Sequence, residues 1–539
     1  MGFNIDWSKV SRLDDWAFRR YIVLAEEFGD KEFTVSDVEE VLKRKNLQLE
    51  NVNKLLSVLR REDLIAVKED PTDFRRSIYR LKLLTAREVK PVGKDDLIRL
   101  LKNGADLIRT TVDYKTLLLF LFYKTISDKW HSLADRYIKE GYGEEQAYIL
   151  ANSEYITLYD DEEKKLYSWH EVTRKRETIK ELANALIRIS RMNDKLQDLQ
   201  KLVDSLGLLS LVNEDNLSIL EGLVQLFNKY DFAEADYDTL GDAYQWILSY
   251  FAPTKAKEGE TYTPREIIRL IVNILDVDDG SSVLDPACGS AAMLIEAYKH
   301  VKSKTNKEPS IGLSGQENNE VMAIIAKMNL ILHGIKEYEI FVGNSLTNPR
   351  FKQADYVIAN PPWNQDGYDE KELSNPSVRH IYTSLGINGY TPRTSADWAW
   401  IQLMNYYAKK KVGIVIDNGA LFRGGREKEI RKAFIEKDLI ECVILLPEKL
   451  FYNVTAPGAI IILNKNKSSD RRNKVLFINA SKEFMKHPEI KRLNILSNDN
   501  IRKIVDAYNS FKDIEGLSKV VDIDKIKEND YNLNVTLYA

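Results

Sequence analysis

The chain reads as an α/β protein with three parts: a doubly wound parallel sheet in its second half, an all-helical domain before it, and a small winged-helix-like module at the amino terminus. Three observations lead there. After about residue 262, short apolar runs alternate with segments of helical apolar spacing, which is how a parallel sheet covered by helices on both faces is written. Between residues 91 and 250 the spacing is helical throughout, with few glycines or prolines. Residues 1–90 run through three helices into two strands around a charged turn, the order of a winged helix-turn-helix. A chain of 539 residues is expected to hold several domains. The boundaries are read at 1–90, 91–250, 251–480 for the sheet, and 481–539 for a helical tail.

Composition narrows the function. Hydrophobic residues at 44% and charged residues at 30% suit a soluble globular chain. A formal net charge of −4 argues against polyanion binding through bulk charge, so a nucleic-acid substrate would need a partner to share the phosphate contacts. Cys288 and Cys442 stand alone and the histidines are scattered, so neither a disulfide framework nor a metal site is expected. The apolar run Leu117–Tyr123 is bracketed by Lys115 and Lys124, far short of a membrane span. Without a signal-peptide or lipidation pattern, a cytoplasmic protein away from the membrane is expected.

In order, helices are expected near Trp16–Phe28, from a cap at Thr34 or Ser36 to Lys43, and over Glu50–Glu62. Strands follow at Leu64–Lys68 and Ser77–Leu81. DNA contact by the third helix and the wing is set evenly against a protein-binding role, because Glu39, Glu40, Glu62 and Asp63 dilute the basic face. Asp113–Ile126, Glu144–Tyr155, Glu171–Ile189 and Leu217–Phe227 are helical and carry no catalytic constellation. Phe251–Glu260, with Pro253 and Gly259, reads as a linker. Thr263-Pro264 then reads as a cap with proline at the first helical position. Strands are expected at Ser282–Asp285, Ile311–Glu317, Ile340–Val342, Tyr356–Ala359, Val412–Ile416 and Leu439–Leu446. Ala459–Leu463 and Lys474–Ile478 read as a late antiparallel hairpin.

Ligands of such a sheet bind beyond the strand carboxyl ends. Asp285-Pro286-Ala287-Cys288-Gly289-Ser290 breaks a strand into a turn and a helix start, offering backbone N–H groups and a carboxylate. It lacks the dinucleotide glycine triplet and the phosphate-loop lysine. Glu317 ends the next strand, where a carboxylate can hold both ribose hydroxyls. Alone, either acid would read as a cap or turn former. What tips the balance is Asn360-Pro361-Pro362-Trp363 at a further strand end. An amide oxygen, carbonyls with no neighbouring N–H to compete, and an aromatic face make a seat for a flat molecule bearing an amine.

This combination resembles the amino-group DNA methyltransferases that use S-adenosylmethionine, with the cofactor motif before the catalytic one as in the γ class. Over residues 95–539 the chain resembles, more closely, the modification subunit of type I restriction–modification systems. The likeness rests also on Asp113-Tyr114-Lys115, Lys124-Thr125-Ile126-Ser127-Asp128, Tyr262-Thr263-Pro264 and Ala396-Asp397-Trp398. It continues through Leu421-Phe422-Arg423-Gly424-Gly425, Leu446-Pro447-Glu448 and Asn529-Asp530-Tyr531-Asn532-Leu533-Asn534. The resemblance implies a Rossmann-like sheet in which Tyr262, Thr263 and Pro264 flank the methionine end of the cofactor. Asp285 through Ser290 lie beneath the cofactor, Glu317 takes its ribose, and Asn344 and Ser345 face its adenine. Asn360, Pro361, Pro362 and Trp363 are then the catalytic set, acting on N6 of a flipped-out adenine in double-stranded DNA. Partners implied are a specificity subunit, with two modification subunits for each, and a restriction subunit. Two departures stand out: Asn344 where the family has aspartate, and Ala291-Ala292 where it has glycines. They motivate the rival reading of a DNA-binding or assembly subunit with a weakened methyltransferase fold. N4-cytosine and protein-glutamine methylation are the other rivals.

Overall fold

The computed structural model describes residues 5–10, 12–83, 90–108, 111–173, 175, 177–211, 213–257, 262–452 and 454–539. The chain forms two compact units, Met1–Ile247 and Leu248–Ala539.

The first unit begins with helices α1 (Asp15–Phe28), α2 (Val35–Arg44) and α3 (Val52–Arg61). Strands β1 (Glu32–Phe33), β2 (Ile65–Asp70) and β3 (Asp73–Leu81) form an antiparallel sheet in the order β1-β3-β2. Thr34 caps α2 with a reciprocal bond to Asp37, as its position before an apolar-periodic run predicts. Helices α4 (Lys94–Ile108), α5 (Lys115–Lys139), α6 (Glu144–Glu154), α7 (Thr178–Met192) and α8 (Glu214–Asn228) follow. Lys124 and Asp128, one turn apart on α5, form a buried ion pair. Asp128 also accepts from the backbone N–H of Phe232 (2.9 Å) and meets His170 Nε2 (2.7 Å). A buried pair survives only when its remaining hydrogen-bonding capacity is satisfied in this way, so the Lys124–Asp128 motif pins α5 to two later segments.

Phe251–Lys257, expected as linker, belongs to the helix Tyr237–Lys257 with Pro253 inside it; Glu258–Glu260 lie outside the described residues. Lacking an N–H, Pro253 breaks the ladder bond to the Ser249 carbonyl, and the helix ends one turn later at Lys257.

In the second unit, α9 (Arg265–Leu275) leads to β4 (Ser282–Asp285), α10 (Ala292–Thr305), β5 (Gly312–Glu317), α11 (Glu320–Leu332), β6 (Glu339–Val342) and β7 (Ala354–Ala359). After them come α12 (Asp397–Tyr407), β8 (Ala408–Asp417), α13 (Arg426–Glu436), β9 (Ile440–Leu445), β10 (Gly458–Asn464), β11 (Lys474–Asn479), α14 (Asn498–Ser510) and β12 (Ser518–Asp522). The nine strands make one mixed sheet in the order β6-β5-β4-β7-β8-β10-β9-β11-β12. The first five are parallel. Alternate residues of β10 enter different cores: Ile460 and Ile462 pack with α9, α10 and α14, whereas Ala459, Ile461 and Leu463 pack with α12 and α13. Burial on both faces is why these strands read as continuous apolar runs.

The sheet was expected to be parallel, but it is mixed, because β10 runs antiparallel to both β8 and β9, and two expectations about its strands need correction. β10 and β11 do not pair: β9 lies between them, antiparallel to β10 and parallel to β11. Two apolar runs joined by a short charged loop look like a hairpin in sequence, but nothing in them excludes a third strand. Beyond residue 480, where helix and irregular chain are expected, β12 adds an antiparallel strand along β11.

Candidate active site at the strand ends

The chain steps outward from β4 to β5 and β6, then returns past β4 to β7 and β8, so the topological switch point lies between β4 and β7. Glu317 and Asp285 end neighbouring strands there, Asn360 follows β7, and Asp417 ends β8.

Asp285 is 2% exposed and its Oδ1 accepts from the N–H of Ala287 (3.0 Å). Burial pushes its carboxyl up to about 8, with that backbone bond opposing and Glu317 adding to the rise. Glu317 accepts from the N–H groups of Gly289 (3.0 Å) and Asn319 (3.1 Å), and burial still pushes its carboxyl up. Pro286 leads into a buried Cys288, which sits close over β5: a β-carbon at Gly315 would lie 3.0 Å from Cys288 Cβ and Sγ. Gly289 turns at φ +50° with open space where a side chain would stand. Ala291, just after Ser290, takes φ +67° and ψ 21° before α10. A β-carbon in that region costs roughly 1–2 kcal/mol, which is why glycine suits it. Its methyl group is buried in the core and Ala292 packs against the same cluster, so the departure burdens the backbone more than the pocket.

Asn344 donates through Nδ2 to Tyr368 Oη (2.7 Å) and accepts at Oδ1 from the N–H of Leu346 (3.0 Å). Ser345 is buried and donates to the Pro286 carbonyl (2.6 Å), which ties its loop to the Asp285 turn. Tyr262 pairs with Ser249 Oγ (2.8 Å) and its ring lies 5.5 Å from that of Tyr452. Pro264, not Thr263, occupies the cap position of α9, and no side chain caps the helix. The reason is at hand. Thr263 Oγ1 is occupied with accepting from Asn360 Nδ2 (2.9 Å).

Asn360 is held at both ends. Trp363 Nε1–H donates to its Oδ1 at 2.9 Å. An indole N–H can only donate, so it fixes which end of the amide is oxygen, and Nδ2 then faces Thr263. The Trp363 ring meets Phe451 edge-on (4.7 Å, 70°) and closes on Gly458, where a β-carbon would come within 2.8 Å of it. Pro361 is buried and Pro362 exposed.

Behind the motif lies a charge cluster that sequence reasoning missed. Asn364 turns at φ +51°, gives its backbone N–H to Asp397 (2.9 Å) and its side chain to Asp417 (3.2 Å). Arg423 binds Asp397 (2.6 Å), Asp417 (2.9 Å) and Glu427 (2.6 Å). Asp397 and Glu427 are almost fully buried; burial pushes the Asp397 carboxyl up despite the Asn364 and Arg423 bonds. Buried Arg431 donates to the carbonyls of Arg423 (2.9 Å) and Tyr531 (2.8 Å), and Leu533 N–H reaches Leu421 O (2.9 Å). The Ala396–Trp398, Leu421–Gly425 and Asn529–Asn534 motifs are thus one buttress. The i, i+4 spacing of Arg423 and Glu427 was the one visible signal.

A buried and a half-buried carboxylate at the switch point, beside an amide whose oxygen is fixed as acceptor, fit the class of methyltransferases that act on an amine. The family described as N-6 DNA Methylase matches residues 235–539, and the HsdM N-terminal domain matches residues 98–227. The MjaVII methylase subunit, of a type I restriction enzyme from Methanocaldococcus jannaschii, is 58% identical over 98% of this chain and 91% of its own length. The MjaVIII methylase subunit of the same organism is 52% identical over 98% and 92%. The crystal structure of a type I restriction-modification methyltransferase subunit from Streptococcus thermophilus matches with a TM-score of 0.66 at 27% identity, covering 83% of this chain and 100% of that one. The chain belongs to the N-6 DNA methylase family, among the type I restriction enzyme methylase subunits, and it methylates adenine N6 in DNA with S-adenosylmethionine as cofactor. Among the described residues no helix is long and apolar enough to cross a membrane.

Proposed function

We propose that Asn360, Pro361, Pro362 and Trp363 form the amine clamp of this reaction, with Asn360 Oδ1 accepting a hydrogen bond from N6 of the flipped-out adenine. The observation that carries it is the amide locked between Trp363 Nε1 and Thr263 Oγ1, at 2.9 Å each. One lone pair of Oδ1 takes the indole N–H and the second remains for the substrate. Together with a backbone carbonyl of the proline segment, Oδ1 draws the nitrogen lone pair out of conjugation with the ring. An amide set in place before the base arrives needs no reorganisation during the reaction. The half-buried Trp363 ring, braced by Phe451, offers the base a stacking face.

When bound, S-adenosylmethionine supplies an electrophilic methyl group on a positively charged sulfur. Asp285, Pro286, Ala287, Cys288, Gly289 and Ser290 form its floor, Glu317 takes the ribose hydroxyls, Tyr262, Thr263 and Pro264 flank its methionine end, and Asn344 faces its adenine with Ser345 as brace. The fit rests on buried Asp285 and half-buried Glu317, two carboxylates pushed toward neutrality. A cationic ligand with donor hydroxyls returns the partners that burial removed.

The order of elements in residues 1–90 supports a winged-helix reading, and the strand reversal at β4 supports a doubly wound, Rossmann-like one. We take residues 1–90, 91–250 and 251–480 as functional segments, with residues 481–539 serving the third by adding β12 to its sheet. As in type I restriction enzymes, the chain would act in the cytoplasm on double-stranded DNA, with a specificity subunit holding two copies of it and a restriction subunit joining them.

Thr263→Val tests the clamp. An unpaired Nδ2 costs about 1–3 kcal/mol, so kcat for methyl transfer is expected to fall about 10- to 100-fold, with Thr263→Ser near wild type. A wild-type kcat in the valine variant would overturn the clamp.

A further inference from the structure

Residues 1–90 lie outside both matched families, which begin at residues 98 and 235. We infer that this module binds duplex DNA directly, with α3 as its groove-facing helix and the β2–β3 hairpin as a phosphate-contacting wing.

The case begins with α3. Val52, Leu55, Leu56 and Leu59 are buried, which leaves Asn53, Lys54, Ser57, Arg60 and Arg61 exposed. The one carboxylate beside that face is Glu62 at the end of the helix, which pairs with Arg61 (3.0 Å) and leaves Lys54 and Arg60 toward the outside. On α2, by contrast, Glu39 and Glu40 are exposed beside Lys43 and Arg44. The face of α3 therefore presents three cations and two side chains able to both donate and accept, the set that meets phosphates and base edges. Near its N-terminus, where such helices touch bases, stands Asn53, with Asn51 capping the helix (2.9 Å).

The turn before α3 is fixed. Arg20 on α1 donates to the carbonyls of Leu47 (2.9 Å) and Trp16 (2.7 Å), which locks the α2–α3 connection to the first helix. On the hairpin, Asp70 closes the turn by accepting from Thr72 N–H (2.8 Å) and Oγ1 (2.6 Å). Just beyond it the Arg75 and Arg76 side chains are 95% and 72% exposed, with long ion pairs to Asp73 (3.6 and 3.7 Å). Pairs this exposed and long contribute little, so both guanidinium groups are free to take phosphates.

Chemistry separates DNA from a protein partner. Protein interfaces centre on exposed aromatic and aliphatic anchors. The side chains described on the helix and wing are charged instead: Lys54, Arg60, Arg75 and Arg76 all stand exposed. The chain's net charge of −4 cannot draw DNA in by itself, so a local cationic face has to.

The test uses the full chain and a duplex of unrelated sequence, with affinity read by fluorescence anisotropy across salt concentrations. Combining Lys54→Ala, Arg60→Ala, Arg75→Ala and Arg76→Ala removes four phosphate contacts. The salt slope is then expected to fall by about 3.6, so that between 50 and 200 mM salt the wild type loses about 100-fold more affinity than the variant. All four side chains are exposed, and a matching melting curve confirms the fold. Asn360→Ala is the control that separates this binding from the chemistry: it loses methyl transfer and keeps duplex affinity. As an independent readout, a photo-crosslinker on Ser57→Cys should label the duplex. An unchanged slope, or a crosslinker that leaves the duplex unlabelled, would overturn the inference.

Discussion

Replacing Arg423 with alanine asks whether the buttress behind the Asn-Pro-Pro-Trp motif holds the catalytic loop in place. In the native chain its guanidinium meets Asp397, Asp417 and Glu427, whose side chains are 0%, 16% and 4% exposed. Removing one partner of a buried ion pair costs about 3–5 kcal/mol, because the remaining charge stays in a poor solvent. Arg423 is itself 28% exposed, so solvent screens part of this and the lower end of the range applies. Function should suffer more than stability. Asp397 and Asp417 hold Asn364, the residue after Trp363, and a shift of about 1 Å near a reacting group can cost roughly 100-fold in rate. The assays are thermal unfolding of the second unit and single-turnover methyl transfer. A pH series adds a sign. Burial already pushes the Asp397 carboxyl up, and loss of Arg423 pushes it further, so protonation relieves the variant and its stability deficit shrinks as pH falls. Arg423→Lys keeps the charge but not the fork, and should recover only part of the rate. Wild-type turnover in Arg423→Ala, or a deficit that grows at low pH, would refute the role given to the cluster.

Further outcomes follow from the same geometry. Gly458→Ala places a methyl group 2.8 Å from the Trp363 ring; overpacking of this kind costs about 1–3 kcal/mol, and methyl transfer should fall because Trp363 can no longer hold Asn360, as kinetics and a melting curve together would show. Asp285 gives a pH dependence: its folded carboxyl sits at about 8, above the usual range, so the cofactor-free chain loses stability as pH rises from about 4 through 8. Between pH 6 and 8 that component amounts to about 2 kcal/mol. Melting curves across pH should show Asp285→Asn flattening this decline, and an unchanged slope would exclude Asp285 as its source.

The motifs at the strand ends were legible because each joins a short apolar run to residues with special backbone or chemical demands. That Asp285, Glu317 and Asn360 stand at strand ends was legible, although either acid alone would read as a cap until the Asn-Pro-Pro-Trp motif was set beside it. The partners of those residues were not legible. Thr263 looked like a helix cap because Thr-Pro before an apolar run is what a cap looks like, and its bond to Asn360 crosses 97 positions of sequence. Arg423 and Asp397 could be quoted as family motifs, yet nothing local says that they meet. In the sheet, short apolar runs marked every strand from β4 to β11, but pairing partners are tertiary facts. The order β10-β9-β11 could not be told from a hairpin, and β12, with exposed Lys519 and Asp522, gave too weak an apolar signal to stand out.

The central claim is that Asn360 polarises adenine N6. Base-resolution mapping of modified DNA from cells that express this chain with its specificity subunit, wild type against Asn360→Ala, tests it most directly. N6-methyladenine at a defined sequence is expected with the wild type and none with the variant. Equal methylation in both, or methyl groups on cytosine N4 instead, would contradict it.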